Sequence, residues 1–332
     1  MADTPVPDEV ERLAEERVGA RLERDWARAD ELKRRIETAG WQVVDDGATY
    51  SLHLASTPDQ VEEGRTLYGS LDSVPSRLAE PATTDLTVVV IVQPEGPSPD
   101  PTLEAVAANP VPSAQIVVVA PGSVSVSGPH DELVPTVEPF TAGEALQAGL
   151  RRATGAVIAV LDPACRPTGD ALTPLVAALG DPSVAVVGSA GVVSDDLRHF
   201  SAAHSGEVTT IAAGCYAFRR EDLLVRGPVD GRLRLDHTVA AWVGLLLRDA
   251  GETTPPRRAL VLELPLAPAP ASSERREDSR TARRDGYRLA DRFRGHAWLT
   301  GQLPPEGRRR GDGAEQADGD DDAPQADEAG QA

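Results

Sequence analysis

The sequence predicts an α/β protein: a mostly parallel sheet covered by helices on both faces. Two near-continuous apolar runs, "DLTVVVIV" (85–92) and "AQIVVVAPGS" (114–123), are β-branched over lengths that suit strands buried on both sides. Further strands and helices then alternate, as a doubly covered sheet requires. Hydrophobic residues make up 40% of the 332-residue chain but aromatics only 4%, so Ala, Val and Leu carry the packing.

Within this sheet region, "VPTVEPF" (134–140) reads as a short third strand and "AGEALQAGLRRATG" (142–155) as a helix leading into the strand "AVIAVLDP" (156–163). The helix "GDALTPLVAALG" (169–180) leads into the strand "SVAVVGSAGVV" (183–193). Ligands of such sheets sit at the carboxyl ends of the strands. Asp162 and the turn Ala120-Pro121-Gly122-Ser123 lie at two of those ends. A dinucleotide-binding reading fails because "VQPEGPSPDPT" after the first strand has no G-x-G-x-x-G turn.

Five regions follow from composition. Residues 1–53 form a module: two paired helices, "DEVERLAEERVGARLERDW" and "ARADELKRRIETAG", then a strand pair turning at Asp46-Gly47. Leu13, Val18 and Leu22 are expected on one helix face, and Ala29, Leu32 and Ile36 on another. Residues 54–84 read as a connector with a helical stretch around "DQVEEGRTLYGSL", and residues 85–268 as the sheet domain. A Pro-rich break precedes a basic helix in 269–300, where Tyr287, Leu289, Phe293 and Trp298 are available for docking. The acidic stretch 301–332 has no apolar periodicity and is expected to be disordered.

The formal charge of −20 argues against non-specific nucleic-acid binding. Two cysteines, Cys165 and Cys215, cannot form a disulfide framework or a four-cysteine zinc site, and the six histidines are scattered. "MADTPVPDEV" lacks the plan of a signal peptide, and no run reaches the ~20 apolar residues of a membrane span. A cytoplasmic location is therefore expected, with peripheral membrane association through the Arg-rich helix as a further possibility.

The string from Glu16 to Leu52 resembles the small C-terminal module of cysteinyl-tRNA synthetases, through Arg17, Arg21, Asp25, Ala27, Ala29, Asp30, Gly40 and Asp46-Gly47. That resemblance implies an RNA-associated role or a hairpin reused for docking. No synthetase catalytic motif accompanies it. Residues 85 to about 265 resemble the family-2 glycosyltransferases, and the resemblance implies a GT-A-like (Rossmann-like) fold binding a nucleotide-diphosphate sugar. It rests on the order of "LTVVVIVQPEG", "IVVVAPGS", "ALQAGLRRATGAVIAVLDPACRP", "AGCYAFRREDLLVRGPVDG" and "LDHTVAAWVGLLLRDAG".

Against that family pattern, several chemical positions are altered. A D-x-D pair holds Mg2+ or Mn2+ against the diphosphate, but here Asp162 is followed two residues later by Ala164. Ala120 and Pro121 replace the nucleoside-contacting aspartates, leaving Gly122 and Ser123 of that turn. The carboxylate pair expected to supply the catalytic base falls on Val239 and Ala240, so Asp236 serves only if the helix start has moved by about a turn. Asp230 is a second candidate. Arg219 and Arg220 are candidates for gripping a diphosphate without metal. Each has a plainer alternative: a turn carboxylate for Asp162, a helix N-cap for Asp236, a structural turn for Asp230 and solvated strand-end charges for the arginines. The resulting expectation is a degenerate glycosyltransferase-like protein that binds a nucleotide-sugar-like ligand or a protein partner with weak or no transfer. An active transferase is the alternative.

Overall fold

The computed structural model describes residues 6–46, 49–55, 57–251, 254–267 and 279–300. The acidic stretch 301–332 and Gly47 of the predicted turn lie outside them.

At the front, α1 (Asp8–Leu22) and α2 (Trp26–Thr38) pair as a hairpin. Arg24 takes a positive φ between them, and Asp25 caps α2 by accepting the Arg28 N–H at 3.0 Å. Gly40, at φ +80°, ends α2 and leads into β1 (Trp41–Asp46), which pairs antiparallel with β2 (Thr49–Leu54). Val10, Leu13, Ala14, Leu32, Ile36 and Trp41 form a core of their own. Leu22 does not join it: one turn before the hairpin bend, it is 79% exposed. Arg17 does, with its guanidinium forked onto Asp45 at 2.7 and 3.0 Å, while Arg21 reaches the same carboxylate at 2.6 Å.

The connector is not helical where the sequence predicts a helix. Residues 60–67 form a hairpin, β3 (Gln60–Glu62) and β4 (Arg65–Leu67), turning at Glu63 and Gly64. Both turn residues have positive φ, 51° and 78°, the geometry that matches the twist of two-residue hairpins. Beyond β4, Tyr68 bridges to Thr136, and Leu71 and Val74 pack beneath the sheet edge. The second half of the connector therefore belongs to the sheet domain.

That domain holds β5 (Thr84–Ile91), α3 (Asp100–Ala108), β6 (Ala114–Pro121), β7 (Glu132–Thr136), α4 (Ala142–Arg152), β8 (Gly155–Leu161) and α5 (Thr173–Ala178). After α5 come β9 (Val184–Gly188), β10 (Gly191–Val193), β11 (Ser201–Ala203), β12 (Gly206–Val208), β13 (Thr210–Ile211) and β14 (Cys215–Arg219). The last elements are α6 (Arg220–Arg226), α7 (Asp236–Arg248), β15 (Arg258–Val261) and α8 (Ser279–Arg292). Eight strands make the main sheet in the order β12-β15-β9-β14-β8-β5-β6-β7. β5, β6, β7 and β8 run parallel, as do β9 and β15, while β14 lies antiparallel between β8 and β9. The run predicted as one strand over 183–193 is split: β9 stays in the sheet, and β10 turns away to pair with β11 and β13. The third strand is earlier than predicted, at Glu132–Thr136.

Helices close both faces. α4 opens with a capping box between Thr141 and Glu144 and buries Leu146 and Leu150. Leu103 and Val106 of α3 pack with Leu175 of α5 on the opposite face. α7 is buried along most of its length, and Gly244 lets it approach β13: a Cβ there would stand 2.2 Å from Thr210 Oγ1. Among the described residues, no helix is long and apolar enough to cross a membrane.

The Arg17–Asp45 fork makes the front module sensitive to acid. The hydrogen bond from Arg17 holds the Asp45 carboxyl below its ordinary value. A depressed carboxylate contributes stability that is fully present above its unfolded value near ~4 and lost as pH falls through the folded value. Asp45→Asn should cost about 1–3 kcal/mol at neutral pH by leaving a buried guanidinium short of its charged acceptor. Amide exchange should then quicken in α1 and β1 but not in β5, and the gap from wild type should narrow in acid.

Candidate functional site

The parallel strands fan out from β5, with β6 and β7 to one side and β8 to the other. Connections leaving a strand pair in opposite directions open a crevice at their carboxyl ends. Asp162 stands there, one residue past β8. Its backbone N–H is held by the Gly214 carbonyl at 2.8 Å, just ahead of β14. Its side chain is already partly engaged: Oδ1 accepts the Ala164 N–H at 2.8 Å. The turn-carboxylate reading of Asp162 is thus realised in its geometry, and the carboxylate still faces the crevice.

Asp236 arrives from across the fold. It is the first residue of α7 and follows the N-cap position held by Leu235, so it is not the cap expected from sequence. A carboxylate in the first turn is favoured by the helix dipole. Asp162 and Asp236 line the same small cavity, together with Ile91, Gly214, Tyr216 and Val239. Val239 is one of the two positions where the family pattern would put its base. Residues three apart on a helix share a face, so Asp236 looks into the space beside Val239. Tyr216 was not apparent from the sequence. It is buried, and its hydroxyl is pushed well above its usual value by that burial and by the charge of Asp236. The cavity holds about 30 Å³, room for roughly one water and far less than a small-molecule pocket of ~300 Å³.

The loop entering α7 is fixed on the start of α4. Gly143 donates to the Leu233 carbonyl at 2.9 Å, and a Cβ at Gly143 would stand 2.2 Å from the Asp230 carbonyl oxygen. Asp230 itself is committed to this turn, accepting from the Arg232 backbone and guanidinium at 2.9, 2.9 and 2.8 Å. It is a turn residue and does not line the cavity.

Two predicted phosphate ligands are elsewhere. β14 runs antiparallel to β8, with Cys215 opposite Leu161 and Arg219 opposite Val157. Four residues of strand put Arg219 about 14 Å from the Asp162 end. There it donates to the carbonyls of Val184, Leu179 and Asp181 and to the Asp222 carboxylate. Arg220 is 6% exposed and binds the carbonyls of Glu80 at 3.0 Å and Arg77 at 2.6 Å. Both are structural, because β14 carries them to the end of the strands opposite Asp162. In the turn after β6, Gly122 and Ser123 are exposed, but the Gly122 N–H is already donated to the Thr136 carbonyl, and a Cβ at Gly122 would meet Leu67 Cδ2 at 2.4 Å. Ser123 follows Gly122 in the same turn.

The residues do not fit a resident divalent cation. The cavity offers two carboxylates, Asp162 with one oxygen engaged and Asp236, Ala164 adds no oxygen, and the described residues contain no group of three or more His, Cys, Asp or Glu suited to a metal. A larger groove of about 1020 Å³ begins beside α7, lined by His237, Thr238, Phe200, Arg198, Arg283 and Tyr287 among others. Tyr287, expected to dock α8, instead stands 69% exposed on its rim.

Residues 87–226 match the family model described as Glycosyl transferase family 2. With the sheet order above, this gives the domain a GT-A-like α/β fold. A search of curated proteins gives no match. Similar solved structures include GalNAc-T7 with UDP, GalNAc and Mn2+ (15% identity, TM-score 0.47, 63% of this chain and 48% of that one). They also include the mannosyltransferase PcManGT of Pyrobaculum calidifontis with GDP-Man and Mn2+ (20% identity, TM-score 0.40, 56% and 59%). S. aureus TarS is similar at 13% identity and TM-score 0.42 over 62% and 38%. The chain thus spans less than two thirds of each of these proteins.

Neither cysteine offers a nucleophile beside this site. Burial and then the charge of Asp162 push the Cys165 thiol up to about 11, and burial pushes Cys215 up to about 12. Because the thiolate is the reactive form, iodoacetamide at pH 8 should leave both unmodified in the folded protein and alkylate both after unfolding. Rapid labelling of native Cys165 would contradict the burial described.

Proposed function

We propose that this chain, whose residues 87–226 match the Glycosyl transferase family 2 model, binds a nucleotide-diphosphate sugar or a close analogue at its strand ends and transfers sugar weakly or not at all. One observation carries the reading. The carboxylate at the end of β8 has lost its partner to Ala164, has an oxygen tied into its own turn, and opens onto a cavity of about 30 Å³. A donor sugar needs that space and a counter-charge for its diphosphate. Arg219 and Arg220, the metal-free substitutes, are engaged at the far end of the strands. Ligand contact at this turn would fall to the exposed Ser123, since the Gly122 N–H is already donated to Thr136. The groove beside His237 and Thr238 is the surface on which an acceptor or a protein partner would lie.

One feature favours the second reading, an active metal-independent transferase. Asp236 reaches the cavity of Asp162 from a helix N-terminus, where a general base would stand. An RNA-associated role for the front module is weaker. Arg17 and Arg21, two of the residues carrying that resemblance, are both spent on Asp45. A docking or folding role suits the hairpin better.

Thermal unfolding of the full chain with UDP-, GDP- and dTDP-sugars, with and without Mn2+, separates these readings, since a specific binder raises the melting temperature by mass action. Metal-independent stabilisation by one nucleotide class, without sugar release, is the expected result. Ala164→Asp should then add a Mn2+-dependent increment that the wild type lacks. Absence of any shift would leave only the partner-binding role, and transfer at a substantial rate would establish the active enzyme.

A further inference from the structure

The first turn of α7 has no cap of its own. Helices begin with unpaired N–H groups, and Ser, Thr, Asp or Asn at the cap position usually satisfies one of them. Leu235 stands there and makes no side-chain bond. The amides just ahead of the helix are instead met by a residue fifty positions later. Asp285 of α8, only 1% exposed, accepts the N–H of Arg234 at 2.8 Å and of Leu235 at 3.0 Å, both on Oδ2. Burying a carboxylate is costly unless it is hydrogen-bonded, and these two backbone donors at a helix start supply such bonds.

The same C-terminal segment grips the other end of α7. Arg248, 5% exposed at the last turn, donates to the carbonyls of Leu299 at 3.0 Å and Arg257 at 2.8 Å. Asp249 accepts the Trp298 indole N–H at 3.0 Å. Between these ends, Phe293 meets Trp242 edge-on, with ring centroids 5.6 Å apart. α7 is about 20 Å long, so it is held at both ends and in its middle by one segment.

We propose that Asp285 is a positioning residue and that residues 279–300 are a clamp that sets where Asp236 stands beside Asp162. The residue after Leu235 is Asp236, so fixing the Leu235 amide fixes the origin of the carboxylate that lines the cavity. Among the groups that share the cavity with Asp236 are Tyr216 from β14 and Asp162 from the end of β8. The proposal rests on the strand-end site described above, but its test does not require that a sugar nucleotide bind.

The full chain would be compared with Asp285→Ala and Asp285→Asn by amide exchange and by 13C titration of the Asp236 side-chain carboxyl. Asn keeps an oxygen able to accept both amides; Ala removes it. In Asp285→Ala, exchange across 234–238 should quicken at least about tenfold while β5 and β8 hold their rates. The Asp236 midpoint should rise by about half a unit or more as the ordered helix terminus is lost. Asp285→Asn should restore most of both. Quickened exchange with an unmoved Asp236 midpoint would reduce Asp285 to a purely structural residue, and unchanged exchange would refute the cap. Should Asp285→Ala not fold, Asp285→Ser, too short to reach both amides, takes its place under the same criteria. A wild type that binds no sugar nucleotide would overturn the ligand reading while these two measurements still judge the clamp.

Discussion

The antiparallel register of β14 between β8 and β9 is the constraint on which the rest of the domain depends. Pairing Cys215 with Leu161 brings the Gly214 carbonyl to the Asp162 amide and lays Tyr216 under the cavity. The same pairing carries Arg219 and Arg220 to the opposite end of the strands. There they bind carbonyls of the α5–β9 connection and of residues 77–80. A slip of one residue would turn Tyr216 and Phe218 to the other face, since strand side chains alternate. The crowding around Gly188, where a Cβ would meet Ile211 Cγ2 at 2.8 Å, leaves little room for such a slip.

Buried charge in this domain is managed through backbone groups. Arg220 and Arg248 spend their guanidinium donors on backbone carbonyls, and Arg219 binds three carbonyls besides the Asp222 carboxylate. Asp285 does the reverse for two amides. This follows from a core made of Ala, Val and Leu, which has few side-chain partners to offer a buried ion. Each such ion joins segments far apart in sequence, so the sheet, α7 and the C-terminal helix are tied by polar as well as apolar contacts.

How much of this was legible in the sequence depends on the range of the interaction. The helical hairpin, its end at Gly40, the capped α4 and the strands β5, β6 and β8 were visible, because local propensity and apolar runs determine them. The β3–β4 hairpin was missed because Glu63-Gly64 is not among the usual turn pairs. Its helical-looking flanks, including an exposed Val61, are strands only by pairing with each other. Asp162 and Asp236, which line one cavity, could be singled out from the sequence, since each ends or begins a readable element. Tyr216 and Asp285 could not, for one is an ordinary aromatic in an apolar strand and the other one acid among many in a charged helix.

The sequence by itself determined the α/β class, the place of the crevice at the end of β8 and the presence of Ala164 two residues after Asp162. These depend on residue identity and on short-range pattern. Tertiary structure decided that Asp236 and Asp162 share one cavity, that Arg219 and Arg220 do not reach it, and that Asp285 of α8 holds the two amides just ahead of the helix carrying Asp236. The physical reason is that strand direction and burial are settled between segments 50 to 140 residues apart, where no local propensity acts.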